Sequence, residues 1–343
     1  MTRRRIALVG LGMAVTPHAK SLIDLGDRVE VAYAFSPSAA RREAFGARFG
    51  FPLCERLETI LADESVTAVS VLTPPNTHLD LVARCAAAGK HILLEKPLEI
   101  STARAVELIE ICRRAGVTLG VVLQHRFRPA GMKLADLLRG ATLGPILGCS
   151  TAIRLWRPQS YYDEPGRGTW ARDGGGVLLT QGIHTLDLML SLAGPVADVT
   201  GYATTTPVHR METEDLVCAA VRFANGALGT IEATTAAFPG YPERIEFICA
   251  HAAASLRGTE LRVDYHDGRT IEIKADSSAG GTGADPMAFP HDYHRGVIAD
   301  FLGSLDSGRP PKVDGAQALR VHRLIDALLA AHAGGGPVKV QRD

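Results

Sequence analysis

The sequence has little net charge, no paired cysteines and no long apolar run. Its 37 basic and 37 acidic residues cancel, so nothing in the charge favours nucleic acid or an anionic membrane, and we expect a small-molecule partner. The six cysteines are scattered and form no C-x-x-C pair, which is typical of buried thiols in a reducing compartment. No run reaches the roughly 20 apolar residues of a membrane span, so we expect a soluble, cytoplasmic protein.

Two further motif types are missing from the sequence. It contains no H-E-x-x-H and no grouped Cys and His ligands, so no metal site is predicted.

Residues 2–15 combine basic residues with a short apolar run, as a signal peptide does. That run, however, contains glycines at turn spacing and leads into an amphipathic stretch. It therefore predicts a first strand and turn rather than a cleaved leader.

The length of 343 residues favours two domains. In the N-terminal part, short strand-like runs alternate with helical ones, which predicts a doubly wound parallel sheet with crossover helices, a Rossmann domain over residues 1–125. The runs cover residues 5–9, 16–25, 29–35, 39–49, 68–72, 77–88, 91–94, 101–115 and 118–122.

The pattern changes after residue 146. Long alternating runs at residues 217–223, 227–235, 245–249 and 261–265 predict an open, mostly antiparallel sheet with helices on one face. We assign residues 126–343 to this α+β domain, for substrate binding and oligomerisation. The Gly- and Ser-rich residues 276–283 predict a mobile loop, and residues 293–305 and 316–331 predict final helices that could pack back on the Rossmann domain.

The first strand ends in a glycine turn. Gly10 and Gly12 would let the backbone approach a pyrophosphate at the start of the next helix, so we assign them, with Met13 and Ala14, to dinucleotide binding. Val15 occupies the third glycine position of the usual motif. A glycine-rich strand exit without a ligand is therefore the alternative.

The end of the second strand bears on the choice of nicotinamide cofactor. An acid at this place would hold the ribose 2′-hydroxyl of NAD, and none is present. Ser36 and Arg41, with Arg42 beside it, offer a hydroxyl and guanidinium groups suited to a 2′-phosphate. NADP is therefore favoured over NAD, the alternative being that both arginines are ordinary solvated residues.

The most specific pattern is Glu95-Lys96-Pro97, which follows a buried strand. Lys96 would lie at the carboxyl edge of the parallel sheet, where open α/β folds bind ligands, and a lysine there can hold or transfer a substrate proton. The alternative for a lysine at a strand end is a surface charge.

Glu-Lys-Pro in this context resembles the pattern of the glucose-fructose oxidoreductase, inositol dehydrogenase and MocA family. Further matches are T-P-P-N-T-H at residues 73–78, Q-H-R-F-R-P at 124–129, and G-G-G at 174–176 before G-I-H-T-L-D at 182–187, so the resemblance covers essentially the whole chain. It implies that Lys96 and His184 are the catalytic pair. It also implies that the cofactor is contacted by Gly10, Gly12, Thr73, Pro74, Asn76, His78, Glu95, Lys96 and Gln124.

The chemistry of histidine also supports a catalytic role for His184. A histidine titrates near neutral pH and can accept a hydroxyl proton while hydride leaves the carbon, although a core histidine is the alternative. Many family members carry an acid four residues earlier, where this chain has Thr180. Proton transfer would then rest on Lys96 and His184, with Thr180 limited to hydrogen bonding at the substrate.

Residues 156–173 combine aromatic and charged side chains in a glycine-rich loop that suits sugar recognition. We expect substrate contacts from Arg126, Tyr162, Trp170, Arg172, Asp173, Thr180 and His184. The alternative is a rigid loop whose aromatic residues only fill space. His291, Tyr293 and His294 could also reach the cleft, but surface positions are equally expected for them.

Together these patterns predict an NAD(P)-dependent oxidoreductase that transfers hydride between a carbinol of a sugar, sugar derivative or cyclitol and the nicotinamide. One alternative is a glycoside-cleaving or epimerising enzyme with tightly bound NAD. A non-catalytic cofactor sensor is another, although retention of Lys96 and His184 argues against it. We also expect a homo-oligomer, a dimer or tetramer, through the open face of the C-terminal sheet.

Overall fold

The computed structural model describes residues 3–275 and 290–341. As far as its residues are described, the chain forms two compact units. Unit 1 comprises Met1–Gln124 and His291–Leu319, and unit 2 comprises His125–Pro290 and Arg320–Asp343. The first boundary therefore lies one residue before the predicted one. The predicted mobile loop at 276–283 lies outside the described residues.

Unit 1 contains the parallel sheet. Among its described residues the strand order is β3-β2-β1-β4-β5-β6, and every neighbouring pair is parallel. The strands are β1 Arg4–Val9, β2 Val29–Phe35, β3 Leu53–Cys54, β4 Val66–Val71, β5 His91–Leu94 and β6 Leu119–Val121. The crossover helices are α1 Val15–Asp24, α2 Ala39–Phe49, α3 Leu57–Ala62, α4 His78–Ala87 and α5 Thr102–Arg114.

The strand order positions the ligand edge of this sheet. The chain runs outward from β1 to β3 and then returns to β4 on the other side, so the order reverses between β1 and β4. Open α/β sheets bind ligands at the carboxyl ends of the strands at such a reversal. The residues that follow Val9, Val71 and Leu94 therefore share this edge, as the sequence predicted.

Unit 2 is built on a larger sheet with the order β14-β13-β12-β11-β7-β10-β9-β8-β15, in which β15 is Val338–Lys339. Neighbours are antiparallel except β7 and β10, which are parallel, so the sheet is mixed. Its first elements are α6 Pro129–Arg139, β7 Ile146–Arg154, α7 Gln159–Tyr162, α8 Trp170–Asp173, α9 Val177–Thr180, α10 Ile183–Ala193 and β8 Val196–Thr204. The meander continues with β9 Leu216–Phe223, β10 Leu228–Thr234, β11 Arg244–Cys249, β12 Ala252–Arg257, β13 Glu260–Tyr265 and β14 Thr270–Ile273.

The two faces of this sheet differ in burial. On β7, Cys149, Thr151 and Ile153 are buried, whereas Ser150 and Ala152 between them are half-buried. Alternation of this kind is expected when helices cover only one face of a sheet. The predicted open sheet is thus confirmed.

The C-terminal elements are divided between the units. Helix α11 (Asp292–Ser307) belongs to unit 1 and packs on α1, where Ser21 Oγ donates to the His291 carbonyl at 3.0 Å. Helix α12 (Gly315–Gly334) begins in unit 1 and ends in unit 2, and β15 (Val338–Lys339) pairs with β8.

Over residues 3–275 and 290–341, no single helix is long and apolar enough to cross a membrane. One pair, Trp170–Thr180 and Ile183–Ala193, meets the length and composition criteria when taken together but is bent by 49°.

Candidate active site

The glycine turn after β1 has the geometry that a dinucleotide needs. Gly10 has φ +105°, and a Cβ there would lie 2.7 Å from the carbonyl carbon and oxygen of Leu72. Only glycine fits that position. Gly12 meets no described atom within 4 Å of the corresponding point, and Met13 is 54% exposed. Ala14 precedes α1, whose first turn carries no acid and no side-chain cap that would compete with an anion; within that turn the Val15 amide donates to the Gly12 carbonyl at 3.2 Å.

Residues 73–78 form the turn after β4. Thr73 Oγ1 accepts a hydrogen bond from Thr77 Oγ1 at 2.8 Å, while Pro74 and Asn76 are exposed at the ligand edge. His78 differs from its prediction, because its ring is fully buried. Its Nε2 lies 2.9 Å from the Thr73 carbonyl and its Nδ1 lies 3.1 Å from that of Pro97. Since both nitrogens contact the protein's own backbone, His78 braces these turns rather than contacting the cofactor.

The end of β2 lacks a carboxylate, as the sequence indicated. Ser36 is buried, and its Oγ accepts a 3.3 Å hydrogen bond from the Ser38 amide. Arg42 is folded back on the chain, with Nη1 donating to the Ser36 carbonyl at 2.8 Å. Arg41 is exposed on the first turn of α2. The two arginines therefore differ, and Arg41 is the one that faces solvent.

Glu95 lies in a buried cluster after β5. Its Oε1 is 2.8 Å from His18 Nε2, and its Oε2 accepts a 3.0 Å hydrogen bond from the Lys96 amide. Burial opposes ionisation of Glu95, but the hydrogen bond from His18 and the nearby ammonium of Lys96 outweigh it and lower the pKa of this carboxyl. Lys96 itself is half-buried.

His294 of α11 completes the cluster, which sequence reasoning did not find. Its ring meets that of His18 edge-on at 5.0 Å, and it is only 3% exposed, so the surface alternative for His294 is wrong. Burial lowers the pKa of His294 to about 3, so this imidazole is neutral at physiological pH. His18, Glu95 and His294 are far apart in sequence, and no spacing motif signals their meeting.

Gln124 follows β6 and is 8% exposed. Its Oε1 is buried and has no hydrogen-bond partner in the part of the chain that the structure describes. A buried acceptor of this kind usually indicates a missing donor, such as a ligand amide. Like the open glycine turn, this acceptor lies at the ligand edge of the unit 1 sheet and is free to receive a ligand N–H.

In unit 2, His184 occupies the first turn of α10 and is half-buried. Its ring lies 5.0 Å from that of His125, with 31° between the planes. Thr180, four residues earlier, contacts the Gly176 carbonyl through Oγ1 at 2.7 Å and also lies against Gln181 Oε1. The hydroxyl of Thr180 is therefore already engaged within α9.

The position of α10 is fixed by a buried ion pair. Arg126 Nε donates to Asp187 Oδ2 at 2.7 Å and its Nη2 donates to Oδ1 at 2.5 Å, with side-chain exposures of 7% and 1%. Two donors of Arg126 are thus committed to the helix that carries His184. This corrects the prediction for Arg126, because such a guanidinium anchors α10 rather than holding a substrate.

A second charged group supports the ring next to His184. Arg128 Nη2 lies 2.7 Å from His125 Nε2 and its Nη1 pairs with Glu243. Because a guanidinium can only donate, Nε2 of His125 must carry the lone pair and Nδ1 the proton. Burial disfavours the charge on Glu243, but Arg128 outweighs it and lowers the pKa of this carboxyl.

Side chains of the aromatic loop, residues 156–173, form hydrogen bonds within unit 2. Tyr162 is buried and its hydroxyl lies 2.9 Å from Thr235 Oγ1, so it packs inside unit 2 and the predicted substrate contact is not favoured. Arg172 donates to the Pro165 carbonyl at 2.6 Å, and Asp173 accepts from the Gly168 amide at 2.7 Å. Trp170 is 47% exposed and remains open to a ligand.

In the triple glycine at 174–176, Gly176 has no space for a side chain, which the motif alone did not show. A Cβ on Gly176 would lie 1.8 Å from the Glu214 carbonyl oxygen. The Glu214 carboxylate accepts hydrogen bonds from the amides of Gly176 at 3.0 Å and Leu178 at 3.1 Å, which caps the start of α9. The sequence analysis missed Glu214, because nothing in the sequence links an acid to a glycine run 38 residues earlier.

Residues 4–123 match the family model described as "Oxidoreductase family, NAD-binding Rossmann fold", and residues 132–255 match the "GFO/IDH/MocA C-terminal domain". Together these segments span most of the chain and correspond to the parallel sheet of unit 1 and much of unit 2.

Among curated proteins, myo-inositol 2-dehydrogenase of Thermotoga maritima is 26% identical, with 91% of each chain covered. D-xylose 1-dehydrogenase (NADP(+)) 2 of Haloferax volcanii is 25% identical, covering 91% of this chain and 92% of that protein. Among solved structures, the WlbA dehydrogenase of Bordetella pertussis in complex with NADH and UDP-GlcNAcA is 25% identical, with a TM-score of 0.84 and 100% of both chains covered. The chain therefore belongs to the Gfo/Idh/MocA family of oxidoreductases, as its sequence motifs indicated.

Proposed function

We propose that this protein is an NAD(P)-dependent dehydrogenase that transfers hydride between a carbinol of a sugar, sugar derivative or cyclitol and the nicotinamide ring. The observation that carries the proposal is Lys96, a half-buried lysine at the ligand edge of a Rossmann sheet, fixed through its amide to Glu95. A cofactor sensor has no need of such a lysine. The names of the inositol and xylose dehydrogenases support the same substrate class.

The dinucleotide would be held by groups of unit 1. The open turn at Gly10 and Gly12 and the uncapped start of α1 suit the pyrophosphate. Thr73, Pro74 and Asn76 line the same edge, and Gln124 Oε1 offers an unused acceptor for an amide N–H. The nicotinamide, when bound, supplies the hydride acceptor or donor.

Lys96 and His184 would handle the hydroxyl proton of the substrate. The Lys96 ammonium can donate a hydrogen bond to the substrate oxygen, and a neutral His184 imidazole can accept the hydroxyl proton as hydride leaves the carbon. Thr180 replaces the acid of many relatives with a group that does not ionise in this range. No carboxylate base is therefore assigned at that position.

For the cofactor we propose NADP in preference to NAD. An acid that would repel a 2′-phosphate is missing after β2, and Ser36 with the solvent-facing guanidinium of Arg41 provides a hydroxyl and a positive charge. The xylose dehydrogenase relative uses NADP(+), whereas the WlbA structure contains NADH. Parallel titrations of both cofactors would decide between them.

The experiment that tests the function is a screen of inositols, pentoses, hexoses and their acids with NAD+ and NADP+, followed by absorbance of the reduced nicotinamide. Stoichiometric reduction with at least one cyclitol or sugar is the expected result. Turnover of a glycoside or an epimerisation without net reduction would instead identify an enzyme with tightly bound NAD. Cofactor binding without turnover across the screen would favour a sensor.

We also propose a homo-oligomer formed through the open face of the unit 2 sheet. The register places Tyr202, Leu228 and Ile248 on that face, and they are 78%, 64% and 64% exposed. Apolar groups of this size usually become buried in an assembly. Light scattering should give a dimer or tetramer, and Tyr202→Lys with Ile248→Lys should lower the mass. A monomeric wild type would refute this proposal.

A further inference from the structure

We propose that His18, Glu95 and His294 bind a divalent transition-metal ion such as Zn²⁺. Each residue offers one ligand atom, these atoms lie within 4.8 Å of one another, and all three residues are buried. The site adjoins the proposed catalytic lysine, because the Glu95 carboxylate also accepts a hydrogen bond from the Lys96 amide. It does not depend on the proposed function.

The donor set is one that Zn²⁺ uses. Two imidazole nitrogens and one carboxylate oxygen are a known three-residue zinc set, which leaves a fourth position for water or another ligand. Imidazole donors favour Zn²⁺ and its transition-metal neighbours over Ca²⁺ and Mg²⁺, which prefer oxygen. A tetrahedral ion with bonds of about 2.0–2.2 Å would replace the 2.8 Å hydrogen bond between His18 Nε2 and Glu95 Oε1, with adjustment of the three side chains.

The backbone positions of the three ligands are fixed by the fold. Glu95 follows β5, and its amide donates to the Val71 carbonyl at 2.9 Å. His18 and His294 lie on α1 and α11, which are joined by Asp24 through 2.8 Å contacts to His291 Nε2 and to Arg295. The cluster is therefore brought together before any ion binds.

The ring of His18 is not fully used by the hydrogen bonds of the cluster. Its Nε2 lies 2.8 Å from the Glu95 carboxylate, so that nitrogen donates. Its Nδ1 is buried and has no hydrogen-bond partner in residues 3–275 and 290–341. A fully buried ring usually uses both of its nitrogens. Hydrogen bonds within the described residues therefore leave one nitrogen of the cluster unused, and a Lewis acid can engage it.

The test uses the full chain, stripped with a chelator and titrated with Zn²⁺ by calorimetry and with Co²⁺ by visible absorption. We expect one equivalent per chain and the absorption bands of a nitrogen- and oxygen-coordinated Co²⁺ ion. His18→Gln with His294→Gln should weaken binding at least about tenfold. His332→Ala, which removes an exposed histidine of α12, should bind like wild type.

Two results would overturn the site. The first is absence of stoichiometric binding by the stripped wild-type chain, and the second is equal binding by the double variant and the wild type. Circular dichroism checks that the double variant is folded. If it is not, the single variants His18→Gln and His294→Gln are titrated in its place, and unchanged binding by both counts against the site in the same way.

Discussion

The buried ion pair between Arg126 and Asp187 gives the sharpest stability prediction. Asp187 lies one turn after His184 on α10, and its carboxylate accepts two hydrogen bonds from the guanidinium. Asp187→Asn keeps the size of the side chain but removes the charge opposite Arg126. The change should therefore destabilise unit 2 and loosen the helix that carries His184.

The size of the effect follows from burial. With exposures of 7% and 1%, both charges have lost most of their water, and removing one partner of such a pair costs about 3–5 kcal/mol. Asparagine retains one acceptor oxygen, so we expect a value near the lower end, about 3 kcal/mol. The pair Arg139 and Asp136 on α6 is the matched control, because its side chains are 76% and 64% exposed. Asp136→Asn should cost about 0.5 kcal/mol or less.

The assay is urea unfolding followed by tryptophan fluorescence. The chain has two tryptophans, Trp156 and Trp170, and both belong to unit 2, so the signal reports that unit. The midpoint shift at constant slope gives the change in the free energy of unfolding. Equal losses for Asp187→Asn and Asp136→Asn would refute the reasoning. So would an increase in stability for Asp187→Asn.

Three further predictions concern the turn, the cofactor and the thiols. Gly10→Ala should lower the free energy of unfolding by at least about 1–3 kcal/mol and weaken dinucleotide binding, because of φ +105° and the Leu72 carbonyl; unchanged melting and affinity would contradict it. Arg41→Ala should raise the Kd for NADP about tenfold and leave that for NAD within about twofold; equal effects on the two cofactors would count against a 2′-phosphate contact. Titration of the folded Tyr202→Lys, Ile248→Lys variant, in which the proposed oligomer face is open, with a thiol reagent at pH 8 should modify Cys218 alone and, in urea, all six thiols, because Cys218 lies exposed on that face and burial raises the pKa of Cys85 to about 11 and of Cys149 to about 12. Reaction of a second thiol in the folded variant would show that this burial is wrong.

Much of unit 1 could be predicted from the sequence, because its strands are short apolar runs separated by helices with clear periodicity. Strand β2 and helix α2 begin and end where the pattern placed them, at Val29–Phe35 and Ala39–Phe49. The pattern missed β3 and α3, since strands and helices of this length carry no periodic signal. It also missed that β7 and β10 are parallel, which depends on topology rather than on alternation.

The candidate site was predictable where a residue follows a strand or opens a helix. Lys96 after β5 and His184 at the start of α10 lie where their motifs placed them. The structural partners were not predictable, because a buried contact between distant segments leaves no local pattern. His18 and Glu95 are 77 residues apart in the sequence. Glu214, which caps α9, lies 38 residues after Gly176 and 36 residues after Leu178, whose amides it accepts from. The polar groups of His78 and Arg126 contact backbone carbonyls and Asp187 of the protein itself, which the sequence pattern did not indicate.

The most direct test of the proposed function is the steady-state kinetics of Lys96→Met and His184→Ala on a substrate found in the screen, with Asp136→Asn as the control. Removal of a group that transfers a proton in the transition state should lower kcat/KM by about 100- to 10,000-fold. Fluorescence titration should show that the His184→Ala variant still binds the dinucleotide as the wild type does. Full turnover by both variants would contradict the assignment of catalysis to Lys96 and His184.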